Sequence, residues 1–145
     1  MFAENMIAPC GLDCSICALA VHSDKPCAGC LGPDENKPDY CATVCQIIRC
    51  AKRLENSYRF CSECPDYPCQ PIEELEERYM NQYPLQESVK GNLQKISEKG
   101  MEAYLRGEAE RWICADCGGV ICVHTGRCGS CGRQYGDADK AIKWS

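Results

Sequence analysis

Two short stretches late in the chain carry the clearest chemistry. Cys114-Ala-Asp-Cys117-Gly118 and Cys128-Gly-Ser-Cys131-Gly132 are copies of one device, Cys-x-x-Cys followed by glycine, separated by ten residues. The two-residue gap lets both sulfurs of a pair reach one ion at about 2.3 Å, and the glycine lets the turn fold back so that backbone amides face the thiolates. Two such knuckles complete a tetrahedron, the donor set of a structural zinc site. Four sulfurs leave no position open for water, so the spacing predicts a fastening and not a hydrolytic centre. Between the knuckles, Val120, Ile121, Cys122, Val123 and His124 favour strand, and Thr125-Gly126 can turn the chain back, as a zinc ribbon requires. On an alternating strand Cys122 and His124 would share a face. The plain reading of His124 is a structural histidine beside the site. Its chemical alternatives are a ligand to another ion, a proton carrier and a hydrogen-bond donor to a thiolate.

A second block of cysteines lies upstream, in the order Cys10-x3-Cys14-x2-Cys17, Cys27-x2-Cys30, Cys41-x3-Cys45-x4-Cys50 and Cys61-x2-Cys64-x4-Cys69. Eleven thiols exceed two four-ligand sites by three, so two sites with spare cysteines and three sites sharing ligands both fit. Cys27, Cys30, Cys61 and Cys64 form Cys-x-x-Cys pairs and lead the list of ligands, followed by Cys14 and Cys17. Cys10, Cys45, Cys50 and Cys69 complete the candidate set, and the whole chain is expected to hold about two to three zinc ions. Partners in a site are neighbours in space, so the quartets stay unassigned, as do the roles of Cys41 and Cys122.

Other chemistries compete for these upstream thiols. Cys-x3-Cys-x2-Cys matches the spacing by which radical enzymes using S-adenosylmethionine hold a cluster, but those enzymes need repeated strand-helix units that this chain lacks. Cys64-Pro65 resembles an iron-sulfur run, so a cluster, or a thiol redox or metal-transfer role, is the alternative to zinc here. A thiol enzyme would need a base beside its nucleophile, and only His22 and His124 offer imidazoles. His22, close to the first triplet, is the better placed of the two.

Compartment bears on the choice among these. The N-terminal stretch has neither a basic run nor an apolar core of the secretory type, and no window approaches the roughly 20 apolar residues of a membrane span. The expectation is a cytoplasmic protein with no membrane partner, where thiols stay reduced and paired cysteines bind metal. A formal charge of −5, made more negative by each four-thiolate site, disfavours nucleic acid and leaves a protein as the partner class to consider. Arg49, Lys52, Arg53 and Arg59 are the one basic concentration and read as a solvated helix face.

The elements that must position these cysteines are read from periodicity. Ile72, Leu75, Tyr79 and Tyr83 line one helical face, and Leu85, Val89, Leu93 and Ile96 line another, with Pro84 between. Pro71 suits a first helical turn, and Glu73, Glu74, Glu76 and Glu77 favour the positive end of that helix. Gly100 stops the second helix, and Met101, Tyr104 and Leu105 begin a third amphipathic segment toward Trp112. Prolines and glycines between positions 24 and 40 predict turns. The fold class expected is a small, metal-stabilised, irregular α+β protein with an α-rich middle. Its parts are a cysteine-rich module over 1–70, a helical segment over 71–111 and a zinc ribbon with tail over 112–145.

One likeness covers nearly the whole chain. Cys10-Gly11-Leu12-x-Cys14-x-x-Cys17, Cys27-x-Gly29-Cys30, Cys45-x-Ile47-x-x-Cys50 and Cys61-x-x-Cys64-Pro65-x-x-Pro68-Cys69 together resemble a prokaryotic cysteine-rich family known as a domain of unknown function. Arg78-Tyr79, Tyr83, Asn92-Leu93, Lys99-Gly100 and Arg111-Trp112-x-Cys114 resemble its longer members. The resemblance implies a zinc-binding cytosolic protein and supplies no reaction. A binding or scaffolding role is the reading that follows, with enzymatic activity disfavoured.

Overall fold

The middle of the chain becomes helix where its apolar spacing places helix. The computed structural model describes residues 2–22, 29, 47 and 50–142. Within them lie a short α1 (Ala18–Val21), α2 (Ala51–Glu55), and three longer helices, α3 (Gln70–Asn81), α4 (Val89–Lys99) and α5 (Met101–Trp112). Pro71 sits in the first turn of α3 with Glu73 beside it, and Arg78 occupies the last turn, so both dipole ends meet complementary charge. Ser88 caps α4 by accepting from the Gly91 amide at 2.9 Å. Gly100, at φ 89°, ends α4 and starts α5 in a single residue.

The predicted stripes are the buried ones. Ile72, Tyr79, Val89, Leu93, Tyr104 and Trp112 are all at most 5 % exposed, and removing each from water is worth about 1.5–3 kcal/mol. Leu75 and Tyr83 pack partly buried against the same interior. Two apolar clusters result. One gathers Phe2, Ile16, Tyr79, Trp112, Cys114, Ile121, Val123 and Cys128, so it joins the N-terminal loop, α3, the end of α5 and the C-terminal segment. The other gathers Ala8, Cys10, Cys14, Ile47, Cys61, Ile72 and Leu93 beneath the upstream cysteines. Gly11, at φ 93°, lies against α4, and a Cβ there would come within 2.7 Å of the Val89 carbonyl oxygen, so only glycine permits the approach.

Strand content falls short of the α+β expectation. Among the described residues there are only isolated bridges: Ile7 with Asp13, Ile113 with Val120, Ile121 with Cys128, and Arg127 with Gln134. The protein is helix-rich with little strand. The physical reason lies in the C-terminal segment, where tight turns follow each other so closely that one paired residue is all that fits between them. His124 falls inside such a turn, so the alternating strand expected through Cys122 and His124 is replaced by a bend. The turn-rich stretch 24–40 (Gly29 apart) and the residues Cys27, Cys30, Cys41, Cys45 and Arg49 lie outside the described residues.

Arg59 departs from the solvated-face reading. It donates to the carbonyls of Glu4 at 3.1 Å and Ile7 at 2.8 Å and stacks over the Phe60 ring, so it ties down the N-terminal segment. Lys52 and Arg53 do lie on α2, where Lys52 pairs with Asp66 across an exposed contact.

Candidate metal centre

The C-terminal cysteines come together as their spacing demands. Cys114 lies two residues beyond the end of α5, so the buried Trp112 anchors the entry to the first knuckle. Gly118 donates to the Cys114 carbonyl at 2.9 Å while the Cys114 amide donates to Gly119 O at 2.7 Å. The second knuckle repeats this, with Gly132 donating to Cys128 O and Cys128 to Arg133 O, both at 3.0 Å. Gly118 and Gly132 take φ values of 78° and 77°, the left-handed region that a side chain would strain.

Sγ atoms of Cys114, Cys117, Cys128 and Cys131 all lie within 4.8 Å of one another. Cross-knuckle pairs are closer, 3.7 Å for Cys114–Cys131 and 3.4 Å for Cys117–Cys128. Thiolates at about 2.3 Å from one tetrahedral ion stand roughly 3.8 Å apart, so the observed spacing suits a shared ion and is far too long for a disulfide. Cys114 and Cys128 are buried whereas Cys117 and Cys131 are exposed, so the site is half sunk into the protein.

Donors surround the sulfurs. The amides of Gly119 and Ser130 donate to the Cys117 and Cys128 sulfurs at 3.4 Å each. The Tyr135 hydroxyl stands 3.1 Å from the Cys114 sulfur and is the main cause that brings this thiol down to about 6. At Cys117 the Gly119 amide pulls the other way, yet proton sharing with Cys128 prevails and the thiol rises to about 12. A cluster of four neighbouring thiols holds some of its protons until a cation replaces them. Arg133 joins the knuckles from outside, pairing with Asp116 at 2.5 Å and stacking on the Tyr135 ring.

A third copy of the turn sits between the two. Gly126 donates to Cys122 O at 2.8 Å and Cys122 to Arg127 O at 3.0 Å, with Gly126 again at positive φ. Thr125 occupies the place of the second cysteine. Its hydroxyl accepts from the Arg127 amide at 3.1 Å and meets His22 Nε2 at 2.9 Å, so a hydrogen bond holds this turn where thiolates hold the others. Sequence reasoning missed the repeat, although a cysteine followed four residues later by glycine occurs at 114, 122 and 128. Cys122 itself is fully buried and stands outside the quartet.

His124 is structural. Its Nδ1 accepts from the Ala18 amide at 3.1 Å, which leaves the proton on Nε2, 2.8 Å from the Tyr79 hydroxyl. Burial, with Arg78 nearby, lowers its pKa to about 4, so the ring is neutral at physiological pH. With both nitrogens committed, the ring is neither ligand nor proton carrier here. His22, the other imidazole, meets the Thr125 hydroxyl through Nε2.

The upstream thiols are arranged differently. Cys10, Cys14 and Cys61 are buried in one apolar cluster with Cys69 packed against it. Cys50 and Cys69 stand at the N-termini of α2 and α3, and Cys64 closes a 3-10 turn on Cys61 O at 3.1 Å. Burial, followed by the neighbouring Cys69, pushes the Cys61 thiol up to about 12. Among the described residues the C-terminal quartet is the one set of three or more Cys, His, Asp or Glu whose donor atoms all lie within 4.8 Å. Cys17 also belongs to the described residues, while Cys27, Cys30 and Cys45 fall outside them. Tyr135 is a functional neighbour that no spacing rule singles out.

No helix among the described residues is long and apolar enough to cross a membrane. No curated protein and no solved structure matches the chain. Residues 6–74 match the model of a family described as protein of unknown function (DUF3795), a match that ends within α3 and leaves the quartet outside it. The resemblance drawn from the cysteine motifs is borne out: the cysteine-rich N-terminal part of the chain is similar to this family of unknown function.

Proposed function

We propose that this protein is a cytoplasmic zinc-binding scaffold whose metal is structural. In this reading Cys114, Cys117, Cys128 and Cys131 hold one zinc ion in a ribbon-type fastening. Cys10, Cys14, Cys17, Cys27, Cys30, Cys45, Cys50, Cys61, Cys64 and Cys69 supply the ligands for about one or two more. The observation that carries it is the quartet: four sulfurs at tetrahedral spacing, with amide and hydroxyl donors aimed at the charge that four thiolates and a divalent ion leave. Closed coordination supports a fastening in place of catalysis, because no position remains for a substrate or water. What zinc fastens is the junction of the C-terminal segment with α3, α5 and the N-terminal loop, a rigid body able to present a surface to a protein partner.

Metal analysis of the protein purified with and without air, together with its absorption spectrum, tests this. Two or three zinc per chain with no visible absorption is the expected result. Iron with sulfide and a brown colour would instead make the upstream cysteines a cluster site. Cobalt substitution adds a check on geometry, since four thiolates around one ion give intense tetrahedral bands that should vanish on changing Cys117 to serine.

A further inference from the structure

Zinc does not change oxidation state, so in a closed four-thiolate site the atoms open to redox chemistry are the sulfurs. In the quartet they are not equivalent. Cys117 and Cys131 are exposed, whereas Cys114 and Cys128 are each 2 % exposed. The outer two are also open to approach, because a Cβ built on the adjoining Gly118 or Gly132 would meet nothing within 4 Å. The inner two are walled in. The Tyr135 hydroxyl stands 3.1 Å from the Cys114 sulfur, and a Cβ on Gly119 would lie 2.8 Å from the Cys128 sulfur.

Each outer sulfur has an inner sulfur beside it, Cys131 with Cys114 at 3.7 Å and Cys117 with Cys128 at 3.4 Å. Both contacts run between the knuckles and not within one. Reversible oxidation needs a thiolate that a small oxidant can reach and a second thiolate close enough to displace the oxygen it receives. Each pair supplies both. The outer sulfurs differ in one respect: Cys117 accepts from the Gly119 amide at 3.4 Å, while among the described residues no amide or hydroxyl donates to the Cys131 sulfur. A donor withdraws the electron density with which sulfur attacks, so Cys131 is the better nucleophile.

We propose that the quartet is a metal-release switch worked by hydrogen peroxide, in which the exposed Cys131 and Cys117 are oxidised and the buried Cys114 and Cys128 resolve them, closing Cys114–Cys131 first and Cys117–Cys128 second. The switch rests on the reading of the quartet as a zinc site. The Cys131 thiolate attacks one peroxide oxygen, the O–O bond breaks, and a sulfenic acid and hydroxide result. The Cys114 thiolate then attacks the Cys131 sulfur, the S–O bond breaks, and a second hydroxide leaves. Solvent protons convert both hydroxides to water, so two thiolates lose two electrons and one peroxide gains them. Neither sulfur of the disulfide keeps the charge that holds a cation, so the site has lost two of its four ligands and releases its metal. Cys117 and Cys128 repeat the sequence with a second peroxide. Sulfurs now 3.4–3.7 Å apart close to about 2.05 Å. The knuckles thereby stay tied, while the Tyr135 hydroxyl and the Gly119 and Ser130 amides come to face neutral sulfur.

The test treats the zinc-loaded full chain, purified without air, with hydrogen peroxide. Zinc release is read with a chromogenic chelator, sulfenic acid is trapped with dimedone, and disulfides are mapped by mass spectrometry without reduction. Dimedone should mark Cys131 before Cys117, and one equivalent of zinc should appear in step with the Cys114–Cys131 bond. Dithiothreitol with added zinc should restore the starting metal content. The Cys128→Ser chain supplies the release due to the upstream cysteines alone, and the order of bonds in the wild-type chain decides by itself if that variant does not fold. Bonds within a knuckle, Cys114–Cys117 or Cys128–Cys131, would overturn the proposal, as would dimedone marking Cys114 or Cys128 first. Metal content before peroxide separates the two readings. A quartet that holds no zinc overturns both, whereas zinc held there and never released overturns the switch alone.

Discussion

Replacing His124 with alanine should cost much of the protein's stability, because this ring joins three parts of the chain far apart in sequence. The change removes the acceptor of the Ala18 amide, the donor to the Tyr79 hydroxyl, and a ring edge-on to Tyr83 at 4.8 Å. Ala18 is 2 % exposed and Tyr79 5 %, so water cannot readily replace either bond. Each orphaned buried group costs about 1–3 kcal/mol and the lost ring contacts about 0.5–1.5 kcal/mol more, a total of about 3–7 kcal/mol. Against the 5–15 kcal/mol typical of a domain, that is a large share of the roughly available stability. Urea unfolding of the metal-loaded protein at pH 7.5, followed by circular dichroism, measures it, and metal content should be unchanged because His124 is no ligand. A pH arm checks the neutral state. The folded pKa of about 4 lies below the unfolded 6.5, so the histidine's contribution is present above pH 6.5 and is lost as pH falls toward 4, by roughly 3 kcal/mol. The gap in stability between wild type and variant should therefore narrow from pH 7.5 to pH 5, a difference in which acid effects on the thiolates cancel. A loss under about 1 kcal/mol, or a folded His124 resonance titrating near 6.5, would refute the reasoning.

Three further outcomes are expected. Tyr135→Phe removes the hydroxyl from the Cys114 sulfur and should weaken metal binding by about 10–100-fold in a chelator competition, with the fold intact by circular dichroism. Gly119→Ala places a Cβ 2.8 Å from the Cys128 sulfur and 2.6 Å from the Ser130 hydroxyl, so the second knuckle must shift; a loss of about 1–3 kcal/mol in thermal or urea unfolding is predicted. Cys128→Ser should release one equivalent of metal. Since Cys128 shares its apolar cluster with Phe2, Ile16 and Val123, exchange of the Val123 amide, bonded to Ile16 O at 2.8 Å, should accelerate, and unchanged exchange there would show the junction to be independent of the metal.

Helix spans were legible because they are local. The stripes Ile72–Leu75–Tyr79 and Val89–Leu93 and the stop at Gly100 depend on spacing and backbone preference within a few residues. Between Val120 and His124 the β-branched residues favour strand by themselves, and the turn that Gly126 closes overrides that preference.

By itself the sequence determined the thiol quartet, since two glycine-flanked pairs can close on one ion with almost no help from the rest of the chain. Which imidazole is structural, why Cys122 is excluded, and where Tyr135 finds its partner were decided only by tertiary structure. His124 and Ala18 are 106 positions apart, and Tyr104 stands 93 from Gly11, to whose carbonyl its hydroxyl donates. Local spacing encodes a knuckle because its ligands are neighbours along the chain. It cannot encode contacts that exist only after the helices have packed and brought distant groups out of water.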